Sequence, residues 1–514
     1  MSDHRLSQVT FEKGKAPPVV EEFEISGLHG YRNIGLSSSY SATILIAQNG
    51  SGKTTLLGVL DAFLKLQFTR LRDLTFREIR CKLKGSVDTI VFTHDDLAKF
   101  FEFPLDGELQ KFSRRVELDA NVILNFVLGD FTQLKDDYSS LSDEPVFESI
   151  SRKIGYRYND VVSALEKVAA TAFDHVPRVK FIAEAIRTAL EGIEIVYLPT
   201  YRRVEIPYTD DPATRPYRRR KSKVRFPAAI FTGDIQFGLG DISERLSDIN
   251  QQILVNSNRD YRKISAGIIN ELIDGTFERE EFDSQEIPSK EELNLFFSRL
   301  KEGRRMGPFN DVSVPNLDKI YSGADIPLET NKFLRYFLSK LNTVIQATRE
   351  IEIPVEIFRD TCNKYLSAQD SSASIPNYED ATEIVPGIDG KVLRLDRKTF
   401  KVFAESVSSK RKIDLDALSS GEKQMISMFA KLILYPKRKI VLIDEPELSL
   451  SLDWQKQILP DVLNAPLCLQ VIAITHSPFI FDNSLEPFAR SLRLSLDPNA
   501  PATPVDDDAE LGDL

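Results

Sequence analysis

The 514-residue chain predicts an α/β fold built on a mixed sheet and interrupted by a largely helical insertion, and three observations carry that expectation. Thr43 to Leu57 reads as a short apolar strand (Ile44, Leu45, Ile46), a loop containing Gly50 and Gly52, and a helix opened by Lys53-Thr54-Thr55. Far downstream, KIVLIDEPELS and LQVIAITHSP each show the continuous apolar run of a strand buried on both faces. The first ends in Asp444-Glu445 and the second runs into Thr475-His476. Residues 104–190 and 238–380 carry apolar positions at helical spacing.

The loop after the first strand has the chemistry of a phosphate cradle. Small residues let successive backbone N–H groups turn inward around an anion, and the helix N-terminus adds its positive dipole end. Lys53 can reach the β/γ-phosphates of a nucleotide, and the Thr54 hydroxyl can ligate Mg²⁺. The candidate cradle is therefore Gln48, Asn49, Gly50, Ser51, Gly52, Lys53, Thr54 and Thr55. Ala47 stands where a first glycine is usual, and a positive φ there would cost energy. Taken alone, a Gly-rich turn before a helix is also ordinary punctuation. What decides for a nucleotide site is the order of elements: Leu418-Ser419-Ser420-Gly421-Glu422 ahead of a helical run, then Asp444-Glu445, then His476. Parallel sheets place ligand groups at the carboxyl ends of their strands, so Lys53, Asp444, Glu445 and His476 are expected to converge.

At these residues the chain resembles the ABC-type P-loop ATPases of the AAA family, in their SMC-like and RecF-like soluble branch. Gln48 to Thr54 resembles the Walker A motif, Leu418-Ser-Ser-Gly-Glu the signature, Asp444-Glu445 Walker B, and Thr475-His476-Ser477 the H-loop. More narrowly, VYLPTYRRVE, IDEPELSLSLDWQKQILPD and THSPFIFDN resemble the ATPase subunits of bacterial anti-phage systems such as Septu, PARIS and some retrons. The likeness covers Phe23 to about Phe76, Ile195 to Leu246 and Lys391 to Asn483. It implies an ABC-type ATPase head that binds ATP and Mg²⁺. Thr54 and Asp444 would be the metal ligands, Glu445 the base that orients the attacking water, and His476 the γ-phosphate sensor. It also implies that Ser419, Ser420, Gly421 and Glu422 serve a second subunit, so that two heads sandwich ATP as a homodimer or within a higher homo-oligomer. Asp453 lies eight residues after Glu445, two more than in transporter-type D-loops, which puts that role in doubt.

In chain order, residues 1–18 read as a flexible arm and 19–100 as the first part of the head. Within it Arg32 is either a basic residue beside the nucleotide or a solvated strand-end arginine, and REIRCKLKG with VDTIVFT forms a hairpin. His94, at its end, reads as a surface residue. Residues 101–190 form a helical insertion. Residues 191–250 return a strand, a basic loop and a helix. Arg202-Arg203 there contacts either phosphate or a salt-bridge partner, and the seven basic residues between Arg215 and Arg225 serve either nucleic acid or an acidic partner, or only solubility. Residues 251–385 are expected as a compact helical lid or short hairpin, because no run of heptads long enough for a coiled-coil arm is present. Residues 386–490 complete the head, opening with the hairpin KVLRLD and FKVFAES. Residues 491–514 form an acidic tail in which Asp506, Asp507 and Asp508 could hold a metal.

Composition narrows the function classes. The apolar fraction of 42% and charged fraction of 28% are those of a soluble globular chain, and its length implies more than one core. No apolar run approaches the ~18 residues of a membrane span, no leader peptide is visible, and three scattered cysteines imply a reducing, cytoplasmic setting without membrane contact. The net charge of −11 argues against a protein basic overall, although a local patch can still meet nucleic acid. Three classes follow. The first is a sensor or scaffold ATPase in phage defence, with a separately encoded effector nuclease, since the stretch after His476 is too short for one. The second is a RecF-like DNA-repair ATPase. The third, a transporter nucleotide-binding domain, is disfavoured by the long separation of Lys53 from Ser419.

Overall fold

The computed structural model describes residues 2–48, 50–86, 88–104, 106–131, 141, 144–155, 157–199, 239–274, 287–302, 315–322, 327–367, 390–448 and 450–498. They divide into two compact units, Met1–Ile235 with Lys437–Leu514, and Gln236–Pro436. The fold is α/β with parallel and antiparallel sheets, as expected.

In the first unit a parallel sheet has the strand order β12-β3-β11-β10-β6. Its strands are β3 (Ala42–Ile46), β6 (Ile193–Leu198), β10 (Arg438–Asp444), β11 (Cys468–Thr475) and β12 (Ala489–Ser491). All of β10 after its first residue and nearly all of β11 are buried, as strands covered on both faces must be. The register sets Ile46 beside Thr475, and Asp444 beside Ile474, so β3, β10 and β11 end at one edge. Helix α2 (Lys53–Leu64) covers one face, its Leu56, Leu60 and Phe63 sharing a core with Ile440, Leu442, Ile472 and Ile474.

An antiparallel sheet, β13-β2-β1-β4-β5, lies in the same unit. It comprises β1 (Val20–Leu28), β2 (Arg32–Ser37), β4 (Glu78–Leu83), β5 (Ile90–Thr93) and β13 (Arg493–Leu496), and the expected β4–β5 hairpin is present. The fully buried amide of Gln470 joins the two sheets: its Oε1 accepts from the Val19 and Val20 amides at 2.9 and 2.8 Å, and its Nε2 donates to the Val20 carbonyl at 2.9 Å. A side chain that satisfies three main-chain groups resolves the polar cost of ending one sheet against another.

Helices α3 (His94–Phe100), α4 (Glu108–Val116), α5 (Ala120–Phe126), α6 (Pro145–Ile154), α7 (Tyr158–Thr171) and α8 (Pro177–Ala189) follow. The described part of the segment expected as an insertion at 101–190 is largely helical, but its apolar faces belong to the same continuous core as the sheets. Stacked and edge-on rings of Phe68, Phe92, Phe100 and Phe173 tie it in.

Residues 1–18 correct the expectation of a flexible arm. Ser2–Gly14 is helix α1, docked where Phe11 meets Phe488 at 5.7 Å between ring centres, Asn464 donates to the Thr10 hydroxyl at 2.6 Å, and Ser41 donates to the Lys13 carbonyl at 2.6 Å.

The second unit holds two long helices that pack on each other, α9 (Leu239–Ile273) and α12 (Leu328–Leu366), with α10 (Lys290–Glu302) and α11 (Leu317–Ser322) beside them. At 35 and 39 residues they span roughly 50 to 60 Å each, longer than the short hairpin expected. Helix α12 is continuous through Pro354, and α9 crosses the boundary placed at residue 250. The hairpin of β7 (Lys391–Asp396) and β8 (Lys401–Ser406) forms as expected, with β9 (Lys412–Ile413) as a third strand. It leads to α13 (Ser420–Ile433). Residues 386–436 were expected in the head but pack within this second unit.

Candidate nucleotide site

The cradle joins β3 to α2. Gly50 has φ 78° and Gly52 φ 91°, so both adopt the left-handed backbone that favours glycine, and Gly52 opens α2. A Cβ on Gly52 would lie 3.2 Å from Ile34 Cδ1, whereas one on Gly50 would meet open space. Ala47 is absent from the positive-φ residues, so alanine at that position is unstrained. Its amide donates to the Thr475 carbonyl at 3.2 Å, stitching the loop to β11. Gln48 is exposed and its carbonyl accepts from Ser51; Thr55 is half-buried on α2, and Asn49 lies outside the described residues. The Ser51 hydroxyl is buried without a hydrogen-bond partner, the condition of a group built to meet a ligand.

Two side chains of the cradle meet the end of β10 across the length of the chain. The Thr54 hydroxyl donates to Asp444 Oδ2 at 2.5 Å, over a separation of 390 residues. Lys53 Nζ lies 2.9 Å from Glu445 Oε1, with Lys53 5% and Glu445 18% exposed. Glu445 has φ 50°, a left-handed conformation rare for a residue with a side chain, and its amide donates to the Ile474 carbonyl at 2.9 Å. Such local strain persists only where its surroundings over-determine it, and functional sites are where it collects. A hydroxyl and a carboxylate at hydrogen-bond distance, beside the Gly50–Gly52 loop, fit Mg²⁺, which typically takes only one or two protein oxygens.

Arg32, at the start of β2, lies beside the loop. Its Nη1 donates to the Gly50 carbonyl at 3.4 Å, its guanidinium lies 5.3 Å from the Tyr31 ring centre, and its Nε is buried without a hydrogen-bond partner. His94 opens α3, is exposed, and packs edge-on to Phe76, consistent with its reading as a surface residue.

His476 follows β11 directly. Its Nδ1 is 2.7 Å from Glu447 Oε1, an acid that sequence reasoning passed over. The only signal was a second glutamate two residues after Glu445. Gln455, on α14 (Leu452–Asn464), was missed likewise: it accepts from Ser477 at 2.9 Å and donates to the Leu450 carbonyl at 3.1 Å. Tyr197, on β6, is a third: its hydroxyl is buried without a hydrogen-bond partner. Burial first, then the charges of Asp444 and Asp61, push its ionisation well above the usual value. Asp453, at the first turn of α14, is exposed.

The signature lies in the second unit and is organised there as a capping box. Ser419 Oγ accepts from the Glu422 amide at 3.3 Å, and the Ser419 amide donates to Glu422 Oε2 at 2.8 Å. Lys391 Nζ donates to both Glu422 oxygens at 2.9 Å. Burial pushes the Glu422 carboxyl up, but the bonds from Lys391 and Ser419 outweigh it and hold it below the usual value. Glu422 is thus engaged in shaping the turn. Ser420 is exposed at the first position of α13 and Gly421 is buried behind it. The amides of Ser420 and Gly421, in the first turn of α13, precede the helix's own bonding ladder, the arrangement that suits an anion. Arg202-Arg203, the basic stretch Arg215 to Arg225 and Asp506 to Asp508 lie outside the described residues.

A parallel α/β sheet with a phosphate-binding loop after one strand and an acidic pair at the end of a neighbour defines a P-loop nucleotide-binding protein. Residues 202–482 match the family described as "AAA domain, putative AbiEii toxin, Type IV TA system", and the chain belongs to it. The matched span includes the signature, Asp444, Glu445 and His476, but not Lys53. None of the curated proteins compared with the chain matches it. Among solved structures, it is similar at 10% identity and a TM-score of 0.29 to an Smc head bound to the C-winged helix domain of ScpA, covering 93% of this chain and 97% of that one. It is also similar at 13% identity and a TM-score of 0.26 to an Smc head domain with a coiled coil and joint derived from Pyrococcus yayanosii, over 93% and 96% of the two chains. Among the described residues, no helix is long and apolar enough to cross a membrane.

Proposed function

We propose that the chain binds and hydrolyses ATP at the loop between β3 and α2, as a sensor or scaffold subunit of a bacterial anti-phage defence complex acting with a separately encoded effector nuclease. The observation that carries the enzymatic part is the meeting of Thr54 and Lys53 with Asp444 and Glu445 at 2.5 and 2.9 Å. The defence setting is supported by the resemblance of the Val196 to Glu205, Ile443 to Asp461 and Thr475 to Asn483 segments, and by a family whose description names a toxin and a toxin–antitoxin system.

Lys53 and the loop amides neutralise the β/γ-phosphates, and Arg32 adds charge at the rim. The Thr54 hydroxyl and the Asp444 carboxylate would hold Mg²⁺, which when bound would neutralise charge on the phosphates. Glu445 is released from Lys53 when phosphate takes its place, and the freed carboxylate orients the attacking water and accepts its proton. His476 faces the γ-phosphate. Three buried free cysteines accord with a reducing cytoplasm.

Two copies sandwich ATP in this proposal, with Ser419 of the partner subunit and its helix amides closing on the phosphate. Ser419→Arg should leave ATP binding intact and abolish hydrolysis, and light scattering should show that ATP no longer drives dimer formation. The same change removes a helix cap worth about 0.5–2 kcal/mol, so a melting curve must show a folded chain. A monomeric Ser419→Arg protein that turns over at the unmutated rate would rule out the shared site.

The basic stretch from Arg215 to Arg225 supplies positive charge for nucleic acid on an otherwise acidic chain. Replacing Arg218, Arg219 and Arg220 by Ser should weaken DNA binding and flatten its salt dependence, since fewer counterions are released. Unchanged affinity and slope would make the stretch a solubility feature.

A further inference from the structure

We infer that Glu447 is a positioning residue for the proposed ATPase reaction, holding the His476 ring with its proton on Nδ1 so that the Nε2 lone pair accepts a hydrogen bond from the attacking water beside the γ-phosphate. The inference rests on the nucleotide reading of the site and extends it to a residue that reading does not use.

Glu447 is 5% exposed, and each of its oxygens is committed to the segment that carries His476. Oε1 lies 2.7 Å from His476 Nδ1 and also accepts from the His476 amide at 3.1 Å. Oε2 accepts from the Thr475 hydroxyl at 2.8 Å. That hydroxyl in turn accepts from the Ser477 amide at 2.9 Å, and the Ser477 hydroxyl donates to Gln455 at 2.9 Å. Gln455 closes the circuit by donating to the carbonyl of Leu450, in the turn after Glu447.

A buried carboxylate is costly unless its lone pairs are filled, and here three donors from one short segment fill them. A carboxylate accepts, so the proton on this side of the ring sits on Nδ1. The hydrogen bond at one ring nitrogen decides which nitrogen is presented to the other side, and here that nitrogen is Nε2. The ring is 46% exposed, so packing alone does not orient it; the carboxylate does.

The test uses the full chain, with steady-state phosphate release, equilibrium ATP binding, melting curves and ¹⁵N-histidine correlation spectra. The chain has five histidines, and His476→Ala identifies the His476 signal. Glu447→Ala should lower kcat roughly 10- to 100-fold, the usual cost of removing an orienting partner, with little change in ATP affinity. In a His476→Ala background the same change should add less than about twofold, because contacts that act through one group are not additive. Glu447→Gln keeps an acceptor for Nδ1–H and should restore most of the turnover, which a loss through misfolding would not. The spectra should show Nδ1 protonated in the unmutated chain and the proton on Nε2 in Glu447→Ala.

Full multiplication of the two losses, or an unchanged tautomer in Glu447→Ala, overturns the proposal. A chain without turnover before mutation, whose His476 tautomer nonetheless answers to Glu447, overturns the nucleotide reading instead and leaves the contact standing.

Discussion

Glu445→Gln should bind ATP at least as tightly as the unmutated chain and turn it over about 10²–10⁴-fold more slowly, the usual contribution of a general base. Two features of the structure set this expectation. Glu445 stands at the end of β10 in a strained left-handed conformation that aims its carboxylate into the cradle, and that carboxylate lies 2.9 Å from Lys53. Glutamine keeps the shape but removes the negative charge that competes with phosphate for Lys53, so affinity should hold or rise while the proton acceptor is lost. Steady-state phosphate release, measured with equilibrium nucleotide binding, separates the two effects. Undiminished turnover would remove Glu445 from the catalytic role.

Glu352→Ala should destabilise the second unit by about 3–5 kcal/mol, the cost of leaving a buried charge unpaired. Arg299 and Glu352 are 3% and 4% exposed and are hydrogen-bonded to each other, and Arg397 Nη2 donates to the other Glu352 oxygen at 2.8 Å. Arg299 also donates to the Arg397 carbonyl at 2.5 Å, so the network joins α10, α12 and the turn after β7. Alanine would strand the Arg299 guanidinium. Burial pushes the Glu352 carboxyl up, but the two guanidiniums outweigh it and hold it below the usual value. A carboxyl lowered in the folded state stabilises fully above its unfolded value of about 4.3, and that contribution is lost as pH falls through the folded value. Denaturant unfolding followed at neutral and acid pH checks both parts: the variant should lose stability at neutral pH and show a weaker dependence on acid.

The elements legible in the sequence were those whose pattern is local. The apolar runs of β10 and β11 and the Gly-rich turn before α2 mark themselves within a dozen residues, and parallel-sheet logic then brings Lys53, Thr54, Asp444 and Glu445 to one edge. What escaped depends on partners far away in the chain. Helix α1 is too polar to announce its docking, because its contacts come from Ser41, Asn464 and Phe488. Glu447 reads as one more acid in an acidic motif until the fold sets Thr475 and His476 beside it. Ser419 to Glu422 adjoin the head motifs in sequence, yet the capping box and the Lys391 pairing belong to the second unit.

That Lys53 and its loop form a nucleotide cradle is tested most directly by titrating the full chain with a fluorescent ATP analogue and Mg²⁺, beside Lys53→Ala. Lys53 supplies the side-chain charge directed at the β/γ-phosphates, so the account predicts saturable binding at one site per chain that is abolished in a folded Lys53→Ala protein. Binding unaffected by that substitution, or none in the unmutated chain, would contradict it.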